Sequence, residues 1–274
     1  MINVAIGYLI DLEFVWGFQA RVIGLSKTSP SFYYPPPTSF LGAAAEVIAK
    51  EYKIGESNGK NIIFKFSENL LALGIKPLNC IPIRYADLNR IITIKMTGGK
   101  PYPNPKDLKK SFDSPATGKT IFSTIDNEAP MIRLFIVFKH DYLRLNDTYI
   151  TINEDLFWKI HRVGSKESRV SCNDVKMHEV NVIHKNALTN YSFPKIEGIE
   201  IEKTEGEWET EVYIDPFSIE TQYQPLDYIK GEKTVPFMVP IKRGSTEPKC
   251  NVKLKENFVF YSFNEEVVIG RWLK

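Results

Sequence analysis

The sequence predicts an α+β fold, and three observations carry that reading. The opening stretch has an apolar residue at every second position; two helix-period segments each lie between extended ones; and the last third is built of short alternating segments. Every even position from Ile2 to Trp16 is apolar, through Val4, Ile6, Tyr8, Ile10, Leu12 and Phe14. A period of two over that length describes a long strand with one face in a core.

After Gly17 and a polar segment comes FYYPPPTSFLGAAAEVIAKEY, Phe32 to Tyr52. Three prolines force an extended approach, and Thr38 or Ser39 stands where a helix cap is needed. Phe40, Ala44, Ile48 and Tyr52 then share one helix face, with Leu41 and Ala45 beside them, and Gly55 ends the element. Residues 61–67 and 70–95 read as extended. Residues 131–139, MIRLFIVFK, are apolar nearly throughout, as in a strand buried on both faces.

A second helix is expected over residues 153–163, with Asn153 or Asp155 near its start and Gly164 as a left-handed C-cap. One or two strands follow over residues 169–184. The order strand–helix–strand, insertion, strand–helix–strand predicts a ferredoxin-like (RRM-like) βαββαβ domain over residues 1–195. Its long insertion covers about residues 96–130. A small antiparallel β extension occupies residues 196–274.

Composition excludes several classes. The 274 residues carry 35 Lys+Arg against 33 Asp+Glu, so bulk charge does not mark a nucleic-acid binder and only local clustering can. Cys80, Cys172 and Cys250 are far apart with no CxxC pair, which argues for a reducing compartment and against zinc. The N-terminus has no basic start and is interrupted by Asp11 and Glu13, unlike a signal peptide. No run of about 18 apolar residues occurs, so a cytoplasmic protein without a membrane span is expected. ATGKT, residues 116–120, lacks the phosphate-loop glycine because position 113 is Asp. His140, His161, His178 and His184 show no metal-ligand spacing, and no GxSxG elbow exists. Neither metal nor cofactor is expected.

Three segments remain as candidate sites. Residues 95–119 carry Lys95, Lys100, Lys106, Lys109, Lys110 and Lys119 against Asp107 and Asp113, a local +4. A solvated loop would explain that run, but the interleaved Tyr102, Phe112 and nearby Phe122 suit a nucleic-acid arm. Phe32, Tyr33 and Tyr34 either pack in the core or offer flat faces to unpaired bases. HRVGSKESRVS, His161 to Ser171, sets a Gly-Ser turn between basic pairs. It reads as a helix end, with Arg162 and Lys166 facing the negative terminus, or as a turn where a phosphate meets backbone N–H groups and flanking cations.

Trp16-Gly17-Phe18, the Tyr-Pro-Pro-Pro-Thr-x-x-Leu-Gly-Ala helix entry and Arg-x-Gly-Ser-Lys-Glu-Ser together resemble the CRISPR-associated "Cas-five" proteins of the RAMP superfamily. The likeness covers roughly residues 1–185 and is most like archaeal type I-A members, with type I-D the second assignment. It implies a non-catalytic Cascade subunit that caps the 5′ repeat-derived tag of the guide RNA. It also implies contacts with the backbone and large subunits, target DNA met only through the complex, and an insertion serving as a thumb across the RNA. The RNA contacts implied are Tyr33, Tyr34, Thr38 and Ser39; Lys95, Lys100, Lys109, Lys110 and Lys119; and His161, Arg162, Gly164, Ser165, Lys166, Glu167, Ser168 and Arg169. One branch of the family is a metal-independent endoribonuclease, a role that His161, Lys166 and Tyr33 or Tyr34 could fill. A β-rich interaction module that never touches RNA is the third reading.

Overall fold

The computed structural model describes residues 5–20, 30–55, 58–88, 95–97, 100–102, 116–145, 147–220, 230–243 and 246–272. The N-terminal half contains β1 (Ile6–Phe14), β2 (Gly17–Phe18), helices α1 (Pro37–Glu51) and α2 (Gly59–Asn69), β3 (Leu70–Pro77) and β4 (Cys80–Leu88). Then come β5 (Lys95–Thr97), β6 (Lys100–Tyr102), β7 (Ala116–Thr124), β8 (Met131–Phe138), the hairpin β9 (Tyr142–Leu145) and β10 (Thr148–Thr151), and the short helix α3 (Glu154–Trp158). The chain continues through β11 (Val170–Glu179), β12 (Asn181–Ile183), β13 (Asn186–Thr189), β14 (Phe193–Pro194), β15 (Ile199–Glu205) and β16 (Glu207–Ile214). It finishes with β17 (Thr234–Ile241), β18 (Lys249–Leu254), β19 (Phe258–Phe263) and β20 (Glu266–Arg271).

A seven-stranded antiparallel sheet in the order β11-β1-β8-β3-β20-β19-β12 organises the mixed α/β fold. The alternation in the sequence is realised in β1: Tyr8, Ile10, Leu12 and Phe14 are fully buried beside Phe40, Leu41, Ile48, Ile62 and Phe66 from α1 and α2. The opposite face is partly covered too. Leu9 joins Phe135, Tyr191, Tyr261 and Val268, so the C-terminal strands pack over the odd positions. Further along that face Arg133 holds Asp11 in a bidentate pair at 2.6 and 2.7 Å and reaches Glu266 at 2.7 Å, which Lys76 also binds. These cross-strand pairs explain how Asp11 sits in the middle of an apolar strand.

Several sequence expectations change. Residues 61–67 are not extended but helical within α2, where Ile62 and Phe66 point into the core one turn apart. Their spacing of four fits a period of two as well as 3.6, so the short window was ambiguous. Neither Thr38 nor Ser39 caps α1. The helix starts at Pro37 with Pro36 as N-cap, because a first-turn proline lacks only an N–H that would have no helical partner. Gly55 does not end α1 either. Lys53 takes the left-handed conformation (φ 51°), with Lys53 N–H bonded to Lys50 O and Ile54 N–H to Ala49 O, a Schellman closure.

The second helix is shorter than expected. Asn153 caps it by accepting from Leu156 N–H, but it stops at Trp158, well before Gly164. The second half of the expected insertion contains a long strand, β7. β4 and β7 pair from Cys80↔Thr124 to Leu88↔Ala116, forming a hairpin arm that begins at residue 80. β7 contains ATGKT, and its alternation buries Gly118, Thr120 and Phe122 while Ile121 faces out. The C-terminal segment is antiparallel β: two three-stranded sheets, β13-β18-β15 and β14-β17-β16, with β19 and β20 continuing the main sheet. Among the described residues no helix is long and apolar enough to cross a membrane.

Candidate nucleic-acid interface

One end of the main sheet, where β1 finishes, gathers three segments far apart in sequence. Gly17 and Phe18 pair with Ile121 and Thr120 of the arm. Gly17 has φ +142°, and a Cβ there would lie 2.1 Å from the Thr120 carbonyl oxygen, so only glycine lets the two backbones approach this closely. The Trp16 indole N–H then donates to Glu167 O at 2.8 Å. Gln19 N–H donates to the fully buried Ser168 hydroxyl at 2.9 Å.

Residues 161–170 therefore form a closed loop strapped to the end of β1. Arg162 and Arg169 make an antiparallel bridge, Val163 N–H bonds Ser168 O, and Ser168 N–H bonds Ser165 O. Gly164 is needed for this loop (φ +99°), with Gln19 O only 3.2 Å from where a Cβ would stand. Buried Val163 and Ser168 anchor the loop, while Lys166, Glu167 and Arg169 face solvent. The Ser165 hydroxyl and Glu167's own backbone N–H, aided by Lys166 and Lys119, hold the Glu167 carboxyl below its ordinary range. Lys119 of the arm thus stands in the field of this loop.

On the α1 side, Arg162 Nε donates to Glu46 at 2.7 Å, Lys50 pairs with the same carboxylate at 2.7 Å, and His161 lies 3.9 Å from it. Burial alone would raise Glu46, but the hydrogen bonds from Arg162 and Lys50 outweigh it and lower its pKa. A groove of about 800 Å³ runs here between α1, α2 and the loop, lined in part by Ser39, Glu46, Lys50, Lys60, Arg162 and Gly164. Thr38 and Ser39 also border a smaller cavity of about 200 Å³ shared with Ile214 and Glu220.

The triple-proline entry lies against the arm. Thr120 bonds Phe32 O at 2.5 Å and lies 2.9 Å from the Ser31 hydroxyl. Arg84, opposite Thr120 in the arm, sits 3.7 Å from the centre of the Tyr33 ring. Tyr33 N–H donates to Glu211 at 2.7 Å. Tyr34 presents no face to solvent: it is 0% exposed, beside Phe122, with its hydroxyl bonded to Pro240 O at 2.8 Å. Burial pushes its phenol well above the ordinary value.

Of the residues expected to contact RNA, the structure brings together Ser39, Lys119 and the stretch from His161 to Arg169. Tyr33 stands at the arm's base, and Tyr34 is core. Lys95 and Lys100 lie on the paired strands β5 and β6; Lys109 and Lys110 lie outside the described residues. Of the endoribonuclease set, His161 faces Glu46, Tyr33 lies under Arg84 and Tyr34 is buried, so each has other partners. Sequence reasoning missed Glu46, Arg84 and Glu211. Glu46 did leave a signal, as the one charge between Phe40 and Ala49. Arg84 and Glu211 left none.

A crystal structure of a CRISPR protein from Archaeoglobus fulgidus matches with a TM-score of 0.75 and 49% identity, covering 97% of this chain and 100% of that one. Two curated relatives from Saccharolobus solfataricus carry the family's name. "CRISPR-associated protein Cas5 2" is 28% identical over 167 residues, and "CRISPR system aCascade subunit Cas5 1" is 24% identical over 185. The chain belongs to the Cas5 family. The matched stretches span 59% and 70% of those two relatives and 60% and 67% of this chain. No family model matches. In this Cas5 chain the Trp-Gly-Phe and Gly-Ser-Lys-Glu-Ser motifs are one physical unit, joined by the Trp16–Glu167 and Gln19–Ser168 hydrogen bonds.

Proposed function

We propose that this Cas5 chain is a non-catalytic Cascade subunit that binds and caps the 5′ repeat-derived tag of the guide RNA. The observation that carries this reading is the strapped loop, which presents Lys166 and Arg169 to solvent from a rigid base beside Lys119 of the arm. Cations carried on a backbone held by a glycine turn suit phosphate oxygens, and the cost of ordering that backbone is already met in the fold. The Cascade setting follows the printed name of one relative. A ferredoxin-like core is supported by the strand order β11-β1-β8-β3, with α1 and α2 between β1 and β3 and α3 between β8 and β11.

In this reading residues 1–195 supply the RNA-facing surfaces, the arm and the residues beyond it act as the thumb, and residues 196–274 brace them. Backbone and large subunits complete the site. The separate engagements of His161, Tyr33 and Tyr34 support a role without cleavage.

The test is fluorescence anisotropy of the full chain with guide RNA carrying its own 5′ tag and with a scrambled-tag RNA, across a salt series. Tag-selective binding that weakens with salt, and a slope that falls by about one for each phosphate-contacting cation removed among Lys119, Lys166 and Arg169, is expected. Equal binding of both RNAs, or none, contradicts it. RNA cut in the presence of chelator would instead favour the endoribonuclease.

A further inference from the structure

We propose that the guanidinium of Arg84, held over the Tyr33 ring and stationed there by Glu211, is a stacking platform for one unpaired base of the bound RNA. The inference rests on the RNA-binding reading above and adds a site to it, built from three elements that the sequence keeps far apart.

A surface arginine ordinarily samples many rotamers, so an exposed one held in a single place calls for a cause. Arg84 has two. Its Cζ lies 3.7 Å from the Tyr33 ring centre, and its Nη1 lies 3.7 Å from Glu211 Oε1. Glu211 is only 5% exposed and is itself fixed, accepting from Tyr33 N–H at 2.7 Å and from the Tyr213 hydroxyl at 2.5 Å. One carboxylate thus positions both members of the stack. The neighbouring residues lock it further: Thr120, opposite Arg84, grips Ser31 and Phe32, so the chain entering Tyr33 cannot slide along the arm.

One side of the guanidinium is occupied by the ring, yet the Arg84 side chain remains 41% exposed. That leaves an outward surface which is planar, delocalised and weakly hydrated, the properties that let arginine planes stack on nucleobases. A base suits it better than a phosphate. Tyr33 and Glu211 hold the guanidinium from the protein side, so what it offers outward is a π-face, which matches a flat ring better than a compact anion. Ile83 and Tyr85, half-exposed on the other face of the same strand, do not share this arrangement.

A plain clasp joining arm to body would use the same contacts, and the experiment separates the two. The tag RNA is made with 2-aminopurine at each tag position in turn and titrated with wild-type chain and with Arg84→Lys, which keeps the charge but loses the plane. Thermal melts of both proteins accompany the titrations. One position is expected to be quenched on binding wild type and to regain its fluorescence in Arg84→Lys, with affinity weakened about tenfold, the size of one base stack. Wild-type binding with no position quenched overturns the proposal without needing any variant. Unchanged quenching in a folded Arg84→Lys protein reduces the contact to a clasp. Failure of wild type to prefer the tag RNA removes the underlying reading itself, a different result from either.

Discussion

The Trp16 indole N–H donates to the Glu167 carbonyl across 151 sequence positions, and this bond fixes the loop around Gly164 to the end of the first strand. It makes two motifs that look independent in the sequence a single platform. Trp16→Phe keeps an aromatic ring and removes the donor. A loss of about 1 kcal/mol in urea unfolding is expected, with faster tryptic cleavage after Lys166 in the native protein.

Gly17→Ala attacks the same platform from the arm side. The new Cβ would meet the Thr120 carbonyl oxygen at 2.1 Å, in a backbone conformation unsuited to a side chain. A cost of about 3 kcal/mol is expected from strain and the broken β2–β7 pairing. Hydrogen exchange should show the Phe122 amide, which donates to Trp16 O in the wild type, losing protection.

Tyr34 separates core packing from RNA contact. Tyr34→Phe leaves the buried Pro240 carbonyl without its donor, for an expected loss of about 1–2 kcal/mol in stability. Tag affinity of the folded variant should match wild type. A selective loss of affinity at unchanged stability would place Tyr34 at the RNA after all.

Glu211 gives the stability a pH dependence. Burial pushes its carboxyl up to about 7, against hydrogen bonds from Tyr213, the Tyr33 and Tyr34 backbone and the charge of Arg84, all of which lower it. The folded chain therefore holds a proton that the unfolded chain releases near pH 4.5. Its stabilisation is fully present below that pH and is lost as pH rises through about 7. The difference amounts to about 3 kcal/mol. Urea unfolding of Glu211→Gln from pH 4.5 to 8 should show this fall flattened relative to wild type.

The sequence was most legible where one period ran long. β1 and α1 could be read from Ile6 to Phe14 and from Phe40 to Ile48, because burial of a face leaves a pattern that local chemistry cannot hide; Ile2 and Val4 of the expected strand lie outside the described residues. It was least legible where tertiary contact set the local structure. Residues 61–67 fit two periods, and only tertiary packing, such as that of Phe66 on Phe138 of β8, selects the helix. Gly164 looked like a helix cap because a positive φ serves a cap and a tight loop equally. The platform itself was visible as two motifs, but their joining depends on Trp16 and Gln19 reaching residues about 150 positions away. Glu211 stayed hidden because in EWETEVYI it alternates like the solvent-facing Glu207 and Glu209.

The most direct measurement of the central claim is photo-crosslinking of the full chain to tag RNA containing 4-thiouridine, followed by mass spectrometry of the linked peptides. The account predicts crosslinks within residues 161–169 and on the arm near Lys119, absent with scrambled-tag RNA. Crosslinks confined to the opposite end of the sheet, at the basic cleft of Lys65, Lys139, His140 and Arg144, would contradict it and move the RNA to another face of the protein.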